Sequence, residues 1–361
     1  MELKSSNSMK PASYQNWVTI AQLVAQIGFF TTTVFCGILI FLTVFGGQKN
    51  FGSYKNLLVL FSTVGIFFSV VELTLYPNVH SFYAGYFFYS TQRPFGLKIE
   101  IVQVLMAFYT SIYASTICML AVQFVYRYWA IFNESLLHYF KGWRFLFSIA
   151  YSFIVGAQWG LSIYFFDEMD DYTDNYMRNE MWERYDINIS QVAKMALVAY
   201  NDDGSIRWWN VCCIIDMTVF MIVQYSIVIY CAVVMYQKME EKLQLVSASL
   251  RELHRQFFKT LIMQILSPTI CLFAPVVFII YLPIFNFEVS IPTGMFLCAF
   301  TLYPALDALI IMYIVKDYRK SAKRILKIMM DSIYKSLDLQ PTRVEQTRTS
   351  SMPPSNLQNY L

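Results

Sequence analysis

The sequence predicts an all-α membrane protein, a seven-transmembrane helix bundle with its N-terminus outside the cell. Three observations carry that expectation. Only 14% of the 361 residues are charged and 57% are hydrophobic, whereas a soluble globular protein carries about 25% charged residues. The apolar residues fall in seven long blocks, and the basic residues gather at alternate block ends. A soluble enzyme with an ordinary polar shell is excluded. A nucleic-acid binder is excluded too, because the net charge is only +3 and no basic run interrupts the chain.

A helix needs about 20 mostly apolar residues to cross roughly 30 Å of hydrocarbon. The blocks that meet this run from Val18 to Phe45, Asn56 to Tyr76, Ile99 to Tyr126, and Trp143 to Phe166, then Trp208 to Tyr236, Phe257 to Phe285, and Ser290 to Val315. Each is far too long for a barrel strand. The sixth contains Pro268, Pro275 and Pro283, and the seventh Pro292 and Pro304. In lipid such prolines are tolerated as kinks where neighbouring helices satisfy the freed carbonyls.

Orientation follows from lysine and arginine. With the N-terminus outside, 19 of the 27 basic residues face the cytoplasm and 8 face out. The segment 167–207 agrees, with ten acids against four bases. Residues 1–17 then form an extracellular N-terminus, 18–315 the bundle, 316–337 a cytoplasmic amphipathic helix, and 338–361 a disordered tail with phosphorylatable residues. The first apolar block is too long for a signal h-region and reads as an anchor. Asn188-Ile189-Ser190 reads as an N-glycosylation acceptor, while Asn133-Glu134-Ser135 falls on the cytoplasmic side. All seven cysteines lie inside the expected spans, so no disulfide pins the long outer loop to helix three.

Ionisable residues at membrane depth are costly, which makes each a functional candidate. Glu72 stands near the outer third of helix two, and Asp216 about 12 Å below the outer end of helix five. Both are candidates for ligand contact. Glu100 reads as interfacial. Asp307 sits in the inner third of helix seven, three residues after Pro304, and fits a packing lock or switch. Phe108, Tyr109 and Tyr113 in the outer half of helix three suit a pocket for small, weakly polar ligands, although a stripe at helical spacing is more often core than pocket.

Neither metal ligation nor catalysis suggests itself. The three histidines (His80, His138, His254) are scattered over different loops, and phosphate loops and nucleophile elbows are absent. No cofactor is expected; helix seven has no lysine before Lys316 to carry a retinal Schiff base. At the inner end of helix three, Arg127 fits both a hydrogen-bonding hub and a snorkelling interface arginine. Residues 237–256 read as a solvated helical extension of helices five and six. Beyond Lys316, one face carries Tyr318, Ala322, Ile325, Leu326, Met329 and Ile333. The remainder is basic, as in a helix lying on anionic inner-leaflet lipid.

Several stretches together resemble the nematode serpentine chemoreceptors of the Str type, the class r group of G-protein-coupled receptors that includes odorant receptors. They are Gly52-Ser53-Tyr54-Lys55-Asn56-Leu57, Phe124-Val125-Tyr126-Arg127-Tyr128, and Arg255-Gln256-Phe257-Phe258-Lys259-Thr260-Leu261 with Pro268-Thr269. To these are added Leu302-Tyr303-Pro304-Ala305-Leu306-Asp307 and Asp317-Tyr318-Arg319. The similarity spans residues 15–335.

It implies a G-protein-coupled chemosensory receptor for a small odorant-like ligand, signalling through a heterotrimeric G protein, in the plasma membrane of sensory cilia, with an accessory trafficking protein among its partners. On this resemblance Tyr126, Arg127 and Tyr128 stand where rhodopsin-like receptors carry Asp-Arg-Tyr. Tyr303, Pro304 and Asp307 stand at the helix-seven proline switch. Family members often have Asp-Pro where this chain has Asp307-Ala308, which implies a milder kink. A seven-span ligand-gated channel is the competing reading, but it is expected with its N-terminus inside. A transporter should show an internal repeat that this sequence lacks.

Overall fold

The computed structural model describes residues 13–46, 53–243, 262–315, 318–324 and 327. Seven of its helices are long and apolar enough to cross a membrane: Gln15–Phe45, Tyr54–Leu75, Ile99–Phe132, Gly142–Phe166, Trp208–Lys238, Ile262–Phe285 and Gly294–Ile314. They are helices one to seven below, and their bounds fall within a few residues of those expected. Helix three is the most enclosed of the seven, buried over most of its surface from Tyr109 to Tyr126, and packs against helices two, four and five. Helices one and four turn Phe30, Phe41, Ile154 and Leu161 outward, the apolar surface that lipid requires.

Small residues bring helices three and four together. Gly156 and Gly160, one turn apart on helix four, lie against Ser111 and Ser115. A Cβ at Gly156 would stand 2.7 Å from the Ser115 backbone nitrogen, and one at Gly160 2.5 Å from the Ala107 carbonyl. Contact this close is how membrane helices gain dispersion energy where lipid supplies no hydrophobic drive.

Helices six and seven are not regular. After Pro268, residues Thr269–Phe273 form a π-helical turn before the α-helix Ala274–Phe285 resumes. Helix seven is α over Gly294–Cys298, 3₁₀ over Ala299–Leu302, and α again over Tyr303–Ile314, with Pro304 in the first turn of that last piece. Pro304 thus enters where its missing N–H is unneeded. Pro292 lies before the helix rather than within it, which corrects the expected start at Ser290.

One end of the bundle carries a four-stranded antiparallel sheet that the hydropathy pattern does not announce. Its order is β3-β2-β1-β4, with β1 Asn78–Phe82, β2 Gly85–Ser90, β3 Ala193–Val198 and β4 Ser290–Ile291. β2 and β3 pair over six residues, from Gly85↔Val198 to Ser90↔Ala193. The strands bury both faces. Val79, Tyr86, Phe88, Met195 and Leu197 pack into the bundle core. Phe87, Tyr89, Ala196 and Val198 pack beneath a further helix, Asp171–Tyr185, with Met177, Met181 and Tyr185. That helix begins at a capping box in which Asp170 accepts from the Thr173 backbone N–H. The acidic segment 167–207 is therefore a folded cover, not an open loop.

Residues 318–324 are helical. Tyr318 is buried against helix one, its hydroxyl 2.9 Å from Thr43 Oγ1, and Ser321 Oγ donates to the Gly46 carbonyl. Ala322, expected on the apolar face, is exposed. Ile325, Leu326, Met329, Ile333, the tail 338–361, residues 1–12 and residues 244–261 lie outside the described residues.

Candidate ligand cavity and helix lock

Below the sheet is a cavity of about 60 Å³. The sheet roofs it with Val79, Tyr86 and Phe88. Helix three contributes Tyr109, Thr110 and Tyr113, and helix four Trp159 and Ile163. Helices five, six and seven supply Met217, Val276, Ile279, Ile280, Leu297 and Phe300. Three of its four hydroxyls are committed to protein. Tyr86 donates to Asp167, Thr110 to the Ala107 carbonyl at 2.7 Å, and Tyr113 to the Leu272 carbonyl at 3.0 Å. The fourth, Tyr109, stands beside the Glu72 carboxylate and the Cys298 thiol without closing a hydrogen bond of ordinary geometry. The walls present carbon.

Tyr113 joins this cavity to both irregular helices. Its acceptor, Leu272, is in the π-helical turn of helix six, where Pro268 and Pro275 withhold backbone donors. Its ring stacks on Phe300 in the 3₁₀ turn of helix seven, centroids 4.5 Å apart. The same π turn is held to helix five by Tyr225 Oη and Thr269 Oγ1 at 3.2 Å.

At the opposite end of the bundle, Arg127 is half-buried and forms the hub of a second cluster. Its Nε donates to Tyr54 Oη at 3.0 Å, and Nη1 donates to Gln264 Oε1. Gln264 Nε2 donates in turn to Asp307 Oδ1 at 2.9 Å. Gln264 and Asp307 are fully buried. One chain of bonds thus ties helices two, three, six and seven, with an amide bridging a guanidinium and a carboxylate. Glutamine suits that place because it accepts at one end and donates at the other. Tyr126 packs on Tyr54 and Phe140, whereas Tyr128 faces Tyr230 of helix five. Tyr303 packs edge-on against Phe61. The Pro304 carbonyl receives the Cys36 thiol at 3.5 Å.

The other expected site residues are placed as follows. Tyr109 and Tyr113 line the cavity. Phe108 does not: it is 45% exposed and packs edge-on against Phe67 on the outer surface, because consecutive helical residues point about 100° apart. Asp216 faces helix four, taking hydrogen bonds from Gln158 Nε2 at 2.6 Å and Ser162 Oγ at 2.5 Å; its neighbour Met217 reaches the cavity instead. Glu72 is fully buried behind Tyr109 and outside the lining. Asn188 is exposed, and its side chain accepts from the Ser190 N–H at 3.1 Å.

Sequence reasoning missed Tyr86, Phe88, Trp159 and Phe300 in the cavity, and Tyr54 and Gln264 in the lock. Gln264 had left a signal, a lone amide among Ile262, Met263, Ile265 and Leu266. Tyr54 lies inside a stretch that carries the resemblance, but nothing in the spacing singles out its hydroxyl.

The cover over the cavity has its own polar interior. His80 on β1 is fully buried, with Nε2 3.3 Å from Glu180 Oε1 and Nδ1 2.9 Å from Tyr185 Oη. Burial holds its pKa below the ordinary histidine range, against the opposing pull of Glu180. Burial also acts to raise Glu180, but hydrogen bonds from His80 and Ser290 and the Arg184 charge leave it below the usual carboxylate range. Asp167 is the contrary case. Burial pushes its carboxyl up to about 7, only partly offset by hydrogen bonds from Tyr86 and Cys213.

The family model described as serpentine type 7TM GPCR chemoreceptor Str matches residues 21–323. The G-protein coupled receptor str-33 of Caenorhabditis elegans is 36% identical over 306 residues, 83% of this chain and 89% of that protein. Serpentine receptor class r-10 of the same nematode is 28% identical over 310 residues, 84% of this chain and 90% of its own length. Serpentine receptor class J-38 is more distant, at 22% identity over 250 residues. The chain belongs to the Str family of serpentine, seven-transmembrane G-protein-coupled chemoreceptors.

Proposed function

We propose that the chain is a chemosensory receptor that binds a small, uncharged, weakly polar ligand beneath the sheet and activates a heterotrimeric G protein at the Arg127 end. Tyr113 carries this reading: it lines the cavity and is bonded directly to the irregular turn of helix six. A ligand signals only by favouring one of two helix packings. One larger than the cavity that displaces Tyr113 or Phe300 unsettles a segment that is not α-helical to begin with. Outward movement of the far end of helix six would withdraw Gln264 from Arg127 and free the guanidinium for a G-protein helix. The committed hydroxyls and carbon-lined walls favour an odorant-like ligand over a charged one, since a buried unpaired charge is strongly disfavoured.

The sheet end then faces outside, with Asn188 glycosylated, and the receptor resides in the plasma membrane of sensory cilia, delivered there by an accessory protein. The lysine and arginine bias and the exposed sequon support that placement. Filling the cavity tests the ligand site. Val276→Phe should abolish the response to every active compound in a calcium-readout screen while surface expression persists; an unchanged response places the ligand elsewhere. A mobility shift on glycosidase treatment, lost in Asn188→Gln, tests the orientation.

A further inference from the structure

A second concavity lies on the lipid-facing side of the bundle, toward the end away from the sheet. It is about 420 Å³ in volume and runs between helices three, four and five, within the roughly 300–1,000 Å³ that ligand sites occupy. Val122, Val125 and Trp129 form one wall, Phe147 and Tyr151 another, and Ile227 closes the back. The hydroxyl of its lining residue Tyr151 is spent on Gln224, accepting from Nε2 at 2.8 Å. The lining contains one charge, Arg144, and no carboxylate.

We propose that this groove binds one anionic phospholipid of the surrounding bilayer, an acyl chain along its apolar walls and the headgroup phosphate on Arg144. Arg144 is exposed and enters no ion pair or side-chain hydrogen bond among the described residues. Lys141, three residues before it, is likewise exposed and unpaired. The guanidinium fork matches phosphate geometry, with two parallel N–H donors. The α-helical part of helix four begins at Phe145, after a 3₁₀ turn over Gly142–Arg144, with no side-chain cap and no acid in its first turn, which adds positive potential at the same spot. Phe147, 60% exposed, lines the groove, and Trp143, 68% exposed, packs edge-on against it, so the groove opens sideways into hydrocarbon at the depth where aromatic residues meet headgroups. Seven residues separate Arg144 from Tyr151, about 10 Å along helix four, enough to lay several methylenes below the phosphate. A zwitterionic lipid would bring its own cation against Arg144, and charge complementarity selects the anionic one.

The test uses the full-length receptor in nanodiscs of phosphatidylcholine doped with phosphatidylglycerol, with retained lipid counted by native mass spectrometry. The wild type should keep one phosphatidylglycerol per receptor. Arg144→Gln should weaken that retention about tenfold, and Ser148→Trp, which fills the groove, should abolish it. Arg319→Gln, on the C-terminal helix, should leave it unchanged. Because groove variants can misfold, a photo-crosslinking residue at Ile227 gives a second readout and should label lipid. Equal retention by wild type and Arg144→Gln overturns the proposal, as does a crosslink from position 227 to a G-protein subunit with none to lipid.

Discussion

The Tyr113 hydroxyl of helix three is bonded to the Leu272 carbonyl of helix six across 3.0 Å. That single contact crosses from the cavity wall to the one π-helical turn among the described residues. π turns recur at functional sites because an extra residue in the ladder leaves the helix free to rearrange. The bond therefore sets how readily helix six departs from its present position.

Tyr113→Phe keeps the ring against Phe300 and removes the bond. A hydrogen bond of this kind contributes about 1 kcal/mol net, so the variant should show roughly fivefold higher ligand-free G-protein activation. Guanine-nucleotide exchange measured on receptor membranes without ligand checks this. Basal exchange equal to wild type would show that the bond does not restrain helix six.

At the other end, Gln264→Leu should raise basal exchange further, because it removes the amide that pairs Asp307 and detaches Arg127 from helix six. Losing a hydrogen bond to a charged group costs about 1.5–3 kcal/mol, more than tenfold in the equilibrium. Arg127→Ala should behave oppositely, abolishing coupling with surface expression intact. Ligand-evoked exchange that survives in that variant would remove Arg127 from the coupling surface.

Gly160→Leu should prevent folding or surface delivery. The Ala107 carbonyl stands 2.5 Å from where a Cβ would be, and backbone cannot yield as a flexible side chain can. Forced overpacking typically costs 1–3 kcal/mol or more. The melting temperature in detergent should fall by several degrees even for the milder Gly160→Ala. Gly204, in open space on a turn, provides a control, for which Gly204→Asn should be tolerated.

The cover should loosen in acid through His80. Its folded pKa lies below the ordinary 6.5, so the unfolded chain takes up a proton first. The stability from this group is full above pH 6.5 and declines as pH falls through that value toward the folded pKa. The melting-temperature gap between wild type and His80→Asn should accordingly narrow from pH 7.5 to 5. Asp167 acts in the opposite sense. Its pKa is raised from 3.8 to about 7, so its contribution is present below pH 3.8 and lost as pH rises to 7. Asp167→Asn should gain on the wild type over that interval.

Hydropathy sufficed to place all seven spans, because lipid imposes one length and one composition on every crossing. The sheet escaped for a physical reason. A strand buried on one face alternates in polarity, whereas Gly85–Ser90 and Ala193–Val198 are covered on both faces. Such a strand reads as a continuous apolar run with no period. Asp307 and Arg127 were legible as costly charges near one end of the bundle, but the amide between them was not, since nothing in the spacing of 127, 264 and 307 specifies a shared partner. Phe108 and Asp216 were misplaced by a single helical step each. Depth can be counted along a helix, but rotation about its axis is fixed only by what packs beside it.

All seven cysteines are free thiols, and the roof of the cavity hangs on backbone ladders instead. A receptor built this way has no redox-sensitive tether above its ligand. Dithiothreitol at concentrations that cripple disulfide-clamped receptors should leave ligand-evoked responses intact.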